Sequence, residues 1–178
     1  KKLENIRKYD KIENIGKYSN PYLQLEDPAV KTILETYQLE TDSLFNDPII
    51  VSDEDYSKGN LTIWIAELIR VATNADIAFH NYGGTRTSLE DGEVISLGKL
   101  YAIWPFDNVI KTVELKGSVI TSLLNSGDGY NTTITSFEPD TYYLVATNDY
   151  IFDKTGSAYQ NGINPTNTGI VLRDLAES

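Results

Sequence analysis

The chain has 178 residues, 40% of them apolar and 23% charged, with a formal net charge of −11; this is a globular mixture, and the negative excess argues against a nucleic-acid groove, whose affinity rests on Lys and Arg neutralising phosphates. Cysteine is absent and His80 is the single histidine, which removes disulfides, zinc thiolates and thiol nucleophiles and leaves no set of imidazoles for a metallohydrolase centre. No run approaches the roughly 20 apolar residues of a membrane span, and since methionine is missing even at position 1 the chain reads as a fragment from which a leader or further domain has been removed.

Residues 1–27 are polar, with a turn signal at Asn20-Pro21, and read as a linker arm before a single domain over 28–178. Asp27 as N-cap, Pro28 in the first turn and Val30, Ile33, Leu34 and Tyr37 on one face predict a helix over about 28–40. Pro48 to Val51 is a short β-branched strand, followed by the acidic segment Ser52-Asp53-Glu54-Asp55. From Gly59-Asn60 onward, Leu61, Ile63, Trp64, Ile65, Leu68, Ile69 and Val71 predict a helix buried on most sides, with Trp64 in the core. Asp76 to His80 reads as a strand ending in the glycine turn Asn81-Tyr82-Gly83-Gly84-Thr85-Arg86, where the backbone can approach a ligand closely.

Ser96 to Ile103 predicts one or two helical turns, broken by Trp104-Pro105-Phe106-Asp107-Asn108. Val109, Lys111, Val113 and Leu115 form a strand ending at Gly117. Ser118 to Leu124 is a short helix stopped near Gly127, Thr141 to Phe152 a strand or strand pair, 156–166 a loop and Thr168 to Leu175 a closing helix. Helices alternating with short strands give an α/β or α+β domain on a mixed sheet.

The blocks Gly59-Asn60-Leu61, Ala75 to Ala78 with Asn81 to Arg86, Leu100 to Asn108, Val113 to Gly117 and Val145 to Tyr150, in this order and spacing, resemble the carboxy-terminal domain of 5′-nucleotidases, UDP-sugar hydrolases and 2′,3′-cyclic-nucleotide phosphodiesterases. The resemblance implies a two-domain phosphohydrolase in which this domain grips the base and sugar of a nucleotide. It assigns substrate contacts to Asn81 and Arg86 and the two walls of the base site to Phe106 and Tyr150, with backbone approach at Gly83 and Gly84. Aromatic stacking of about 1–3 kcal/mol per base tolerates different bases, and a guanidinium fork suits phosphate or ribose oxygens. The resemblance also implies no cofactor and no catalytic residue in this chain, two divalent metal ions in a missing N-terminal metallophosphoesterase domain, and a periplasmic, secreted or cell-surface setting; the net charge adds the expectation of no nucleic-acid partner.

Two departures accompany it. The family's Gly-Gly-Asp-Gly-aromatic turn after the second ring is replaced by Ile151 to Tyr159, where Asp153 is the nearest carboxylate, and the role is not transferred to Gly127-Asp128-Gly129-Tyr130 because that string precedes the strand over 142–147. An arginine usual before the buried helix is replaced by Asp53-Glu54-Asp55, and negative charge there weakens phosphate binding. These departures support a rival expectation, a degenerate binding or structural module. His80 without a His or Cys partner is expected to pack or hydrogen-bond rather than catalyse, and Trp104 to be core.

Overall fold

The computed structural model describes residues 28–33, 42 and 45–177, and the chain divides into two units, Lys1–Ser43 and Leu44–Ser178. In the first, residues 28–33 are helical, as the Asp27-Pro28 signal predicts; the arm over 1–27 and the remainder of the helix expected to residue 40 lie outside the described residues. The second unit carries everything described below.

Its sheet has five strands in the order β5 (Gly129–Thr132), β2 (Ile77–His80), β6 (Tyr142–Asn148), β4 (Val109–Lys116) and β7 (Ile163–Val171). β2 and β6 run parallel, while β5 with β2, β4 with β6 and β7 with β4 are antiparallel, so the sheet is mixed. A separate antiparallel pair joins β1 (Pro48–Val51) to β3 (Val94–Ser96). Period-two alternation sends β2 side chains to two cores. Ala78, Ala146 and Ile110 face the cluster containing Leu61, Ile65 and Ile69 of helix α1 (Lys58–Thr73). Ile77, Phe79, Val113, Leu115 and Val145 form the other with Ile120 of α3 (Gly117–Leu123) and with Ile151 and Phe152 of α4 (Asp149–Phe152). Helices on both faces explain why all four residues of β2 are buried.

Local signals set the ends of the best-defined helices. Ser57 caps α1 by accepting from the Asn60 N–H at 3.1 Å, and α1 stops where Asn74 turns left-handed at φ 51°. Ser96 caps α2 (Leu97–Ile103) in the same way. Only one stripe of α1 is buried, however: Leu61, Thr62, Ile65, Ala66 and Ile69. Ile63 is 50% and Trp64 40% exposed, so the expected burial on most sides and the core position of Trp64 are corrected. Trp64 lies outside the inward arc and stacks on the buried Trp104 at 5.8 Å between ring centroids.

The later expectations are also corrected. Residues 149–152 are not strand but the helical turn α4, because the Asn148 side chain accepts from the Ile151 N–H at 3.1 Å and starts a helix where β6 ends. The 156–166 segment contains a 3₁₀ turn, Ala158–Asn161, and the beginning of β7. The predicted closing helix over 168–175 is strand through Val171, with helix only in α5 (Asp174–Glu177). Pairing with β4 decides this conformation; the irregular ladder, with left-handed Asn164 and Gly169, carries no clear period in sequence. β3 and β5 are too short and too weakly apolar to have been anticipated.

Candidate functional site

The strand directions bring three loops to one end of the sheet. β2 and β6 both finish there, at His80 and Asn148, and antiparallel β4 starts there at Val109. The glycine turn follows β2, helix α4 follows β6, and Trp104 to Asn108 leads into β4. The glycine turn is a 3₁₀ element, Tyr82–Gly84, closed by the Gly84 N–H donating to the Asn81 carbonyl at 2.9 Å. A Cβ on Gly84 would sit 2.6 Å from Cε1 and 2.7 Å from Nε2 of His80, so the turn lies directly on the imidazole.

Hydrogen bonds fasten these loops together. Buried Asn148 places its Nδ2 3.0 Å from His80 Nδ1 and 2.8 Å from Asn81 Oδ1. The Arg86 N–H donates to the Ile103 carbonyl at 2.8 Å, and Trp104 Nε1–H donates to Thr85 Oγ1 at 3.2 Å. Asn108 Nδ2 donates to Asp149 Oδ1 at 2.7 Å, joining the loop of Phe106 to the helix of Tyr150. Beneath this loop lies Arg173, 4% exposed, which donates to the Trp104 carbonyl at 2.9 Å, pairs with Asp107 and stands 3.5 Å over the Tyr101 ring. Sequence reasoning missed Arg173, since its partners are 66 to 69 residues away and nothing around it marks a burial site.

Among the predicted residues, Asn81 is partly buried, Gly84 buried, and Gly83 and Arg86 exposed. Phe106 is 48% and Tyr150 64% exposed, so neither ring is a core residue. Arg86 lies across its own turn, Nη1 donating to the Gly83 carbonyl at 3.2 Å. Burial holds the neighbouring His80 well below the ordinary imidazole range, at about 4, so the floor of the turn is neutral. Asp153 is engaged by Lys111, whose Nζ lies 2.7 Å from its carboxylate. Asp128, to which the sequence reading does not transfer the family turn's role, reaches this end of the sheet because Gly129 pairs with His80; burial raises its pKa. An apolar cavity of about 290 Å³ lies elsewhere, walled by β1, Trp64, Trp104 and Ala176, and includes none of the predicted site residues. Among the described residues no group of three or more His, Cys, Asp or Glu side chains is placed to hold a metal ion, and no helix is long and apolar enough to cross a membrane.

A family model described as 5′-nucleotidase, C-terminal domain, matches residues 38–137. The chain belongs to this family. The 5′-nucleotidase C-terminal fold is also that of solved structures: a 5′-nucleotidase precursor from Thermus thermophilus (TM-score 0.68, 20% identity, 85% of this chain and 40% of that one) and the NAD nucleotidase NadN of Haemophilus influenzae (TM-score 0.64, 17% identity, 85% and 38%). A curated relative, Endonuclease YhcR of Bacillus subtilis, is 31% identical over an aligned length of 135, the match covering 61% of this chain and 11% of that protein. The chain therefore spans a minor part of the length of the proteins it matches.

Proposed function

We propose that this 5′-nucleotidase C-terminal domain recognises a nucleotide or nucleoside for a two-domain, metal-dependent phosphohydrolase. The heterocycle lies between Phe106 and Tyr150, Asn81 and Arg86 meet its polar groups, and the Gly83-Gly84 backbone closes against it. The observation that carries this reading is that two solvent-exposed rings stand on loops locked, through Asn108–Asp149 and Asn148–Asn81, to the one glycine turn that offers an amide and a guanidinium. Core aromatics are normally hidden; rings left in water on braced loops suit a stacking ligand. In this reading the two divalent metal ions and the hydrolysis they support belong to a companion N-terminal domain; among the described residues here no group of side chains is placed to hold a metal. A periplasmic, secreted or cell-surface setting accompanies the reading by analogy.

Titration calorimetry with adenosine and AMP tests it. Phe106→Ala is expected to weaken both ligands about tenfold, in line with about 1–3 kcal/mol for a stacked base, and Arg86→Ala to weaken AMP more than adenosine. Equal binding by wild type and Phe106→Ala would overturn the sandwich. The second reading, a module that keeps the fold without the nucleotide site, is favoured by the Lys111–Asp153 pair, which occupies the only carboxylate following Tyr150 in its loop. Absence of heat at millimolar ligand with the complete protein would select that reading.

A further inference from the structure

Asn148 is buried at the junction of the three loops, and one backbone group fixes its orientation. The Ile151 N–H can only donate, and it meets one terminal atom of the Asn148 amide at 3.1 Å, so that atom is the oxygen. The other atom is then the NH2 group, which has two hydrogens and cannot accept. It lies 3.0 Å from His80 Nδ1 and 2.8 Å from the terminal atom of Asn81, so both of those atoms accept. His80 therefore carries its proton on Nε2, and the Asn81 atom facing Asn148 is its carbonyl oxygen. The amide nitrogen of Asn81 is the end left for a ligand.

We infer that His80, as the neutral Nε2–H tautomer, is a positioning residue that holds Asn148 and through it sets Asn81 to present an N–H donor, so that the site selects a ligand with a hydrogen-bond acceptor at that point. This deepens the proposed nucleoside reading and rests on it. An unprotonated ring nitrogen or carbonyl on a heterocycle meets the requirement; an N–H or amino group there leaves two donors opposed. The Asn148 NH2 at Nδ1 sets this tautomer, against the cost of an Nε2–H that is closed over by Gly84 and has no hydrogen-bond partner among the described residues. Burial keeps the ring neutral. A proton on Nδ1 would instead oppose the Asn148 NH2.

His80 is the sole histidine, so its ring nitrogens give one unambiguous signal set in a long-range proton–nitrogen correlation spectrum. The expected result for the wild-type protein at about pH 6 is a neutral imidazole protonated at Nε2, where a free side chain with a pKa of about 6.5 is mostly charged. An Nδ1–H tautomer or an imidazolium would overturn the inference without reference to any ligand. Adenosine, a neutral probe, then tests the consequence by calorimetry. His80→Asn places an amide oxygen at the position of Nδ1 and should bind within about threefold of wild type, while His80→Leu, which leaves the Asn148 N–H unpaired, should lose about tenfold. Asn81→Asp keeps the oxygen that faces Asn148 but turns the donor into an acceptor, and should lose tenfold or more. Unchanged adenosine affinity in Asn81→Asp would overturn the donor assignment. If the complete wild-type protein binds no adenosine, the nucleoside reading fails and takes the ligand half of this inference with it, and the spectrum alone then upholds or overturns the relay.

Discussion

His80 shows how one buried side chain ties the fold to solution pH. Its pKa is lowered from 6.5 to about 4 by burial. Between those values the unfolded chain takes up a proton that the folded one refuses, so stability is complete above about pH 6.5 and falls as the pH drops towards 4, by on the order of 3 kcal/mol in all. Urea unfolding followed from about pH 7 to pH 4 should show this decline, and His80→Leu should remove most of it; a histidine contribution that is flat over the window in the wild type would contradict the burial. The glycine turn was legible in sequence because a paired glycine after a strand allows close backbone approach, whereas Phe106 and Tyr150 were singled out only by the family resemblance, since an aromatic beside a proline or an Asn-Asp step otherwise reads as core. The bonds that organise them were not legible, because Asn148 meets His80 and Asn81 across 67 to 68 residues, and only strand pairing reveals that distance is closed.

Elements differ in how much of their conformation is local. α1, α2, β2 and β4 follow from caps, glycine stops and apolar period, whereas β7 exists because β4 offers it an edge, and the helix expected over 168–175 yields to that pairing. α3 marks a point of close approach between elements: a Cβ on Gly117 would fall within the van der Waals envelope of the Glu138 carbonyl, which is backbone and has no rotamer into which to retreat. Gly117→Ala should therefore destabilise the domain by about 2 kcal/mol despite alanine's better helix propensity, the usual scale for overpacking. Thermal or urea denaturation checks this, and an unchanged midpoint would mean that the segment around Glu138 gives way freely.

For the whole molecule, mixed-sheet architecture was legible from the alternation of helical and strand patterns, and the family from ordered blocks that are weak one by one. The apolar cavity beside Trp64 was not, since it is lined by β1, α1, α2 and α5, segments distant in sequence. On the proposed reading, in which hydrolysis belongs to a companion metal domain, this domain by itself should show no AMP hydrolysis with added magnesium or manganese. Phosphate release above the uncatalysed background, from material free of contaminating phosphatase, would require a catalytic role for this chain.

The strand at the middle of the sheet comes late in the chain. β6 separates β2 from β4, yet it follows both in sequence, so a nascent chain emerging from the ribosome has β2 beside β5 and β4 without its inner neighbour until residues 142–148 appear. Long-range pairing of this kind delays completion. The end of the sheet that carries the glycine turn is thus joined to α4 only when that strand arrives, and a translation product interrupted before it would contain the glycine turn and Phe106 without Asn148, whose amide ties the turn to the start of α4.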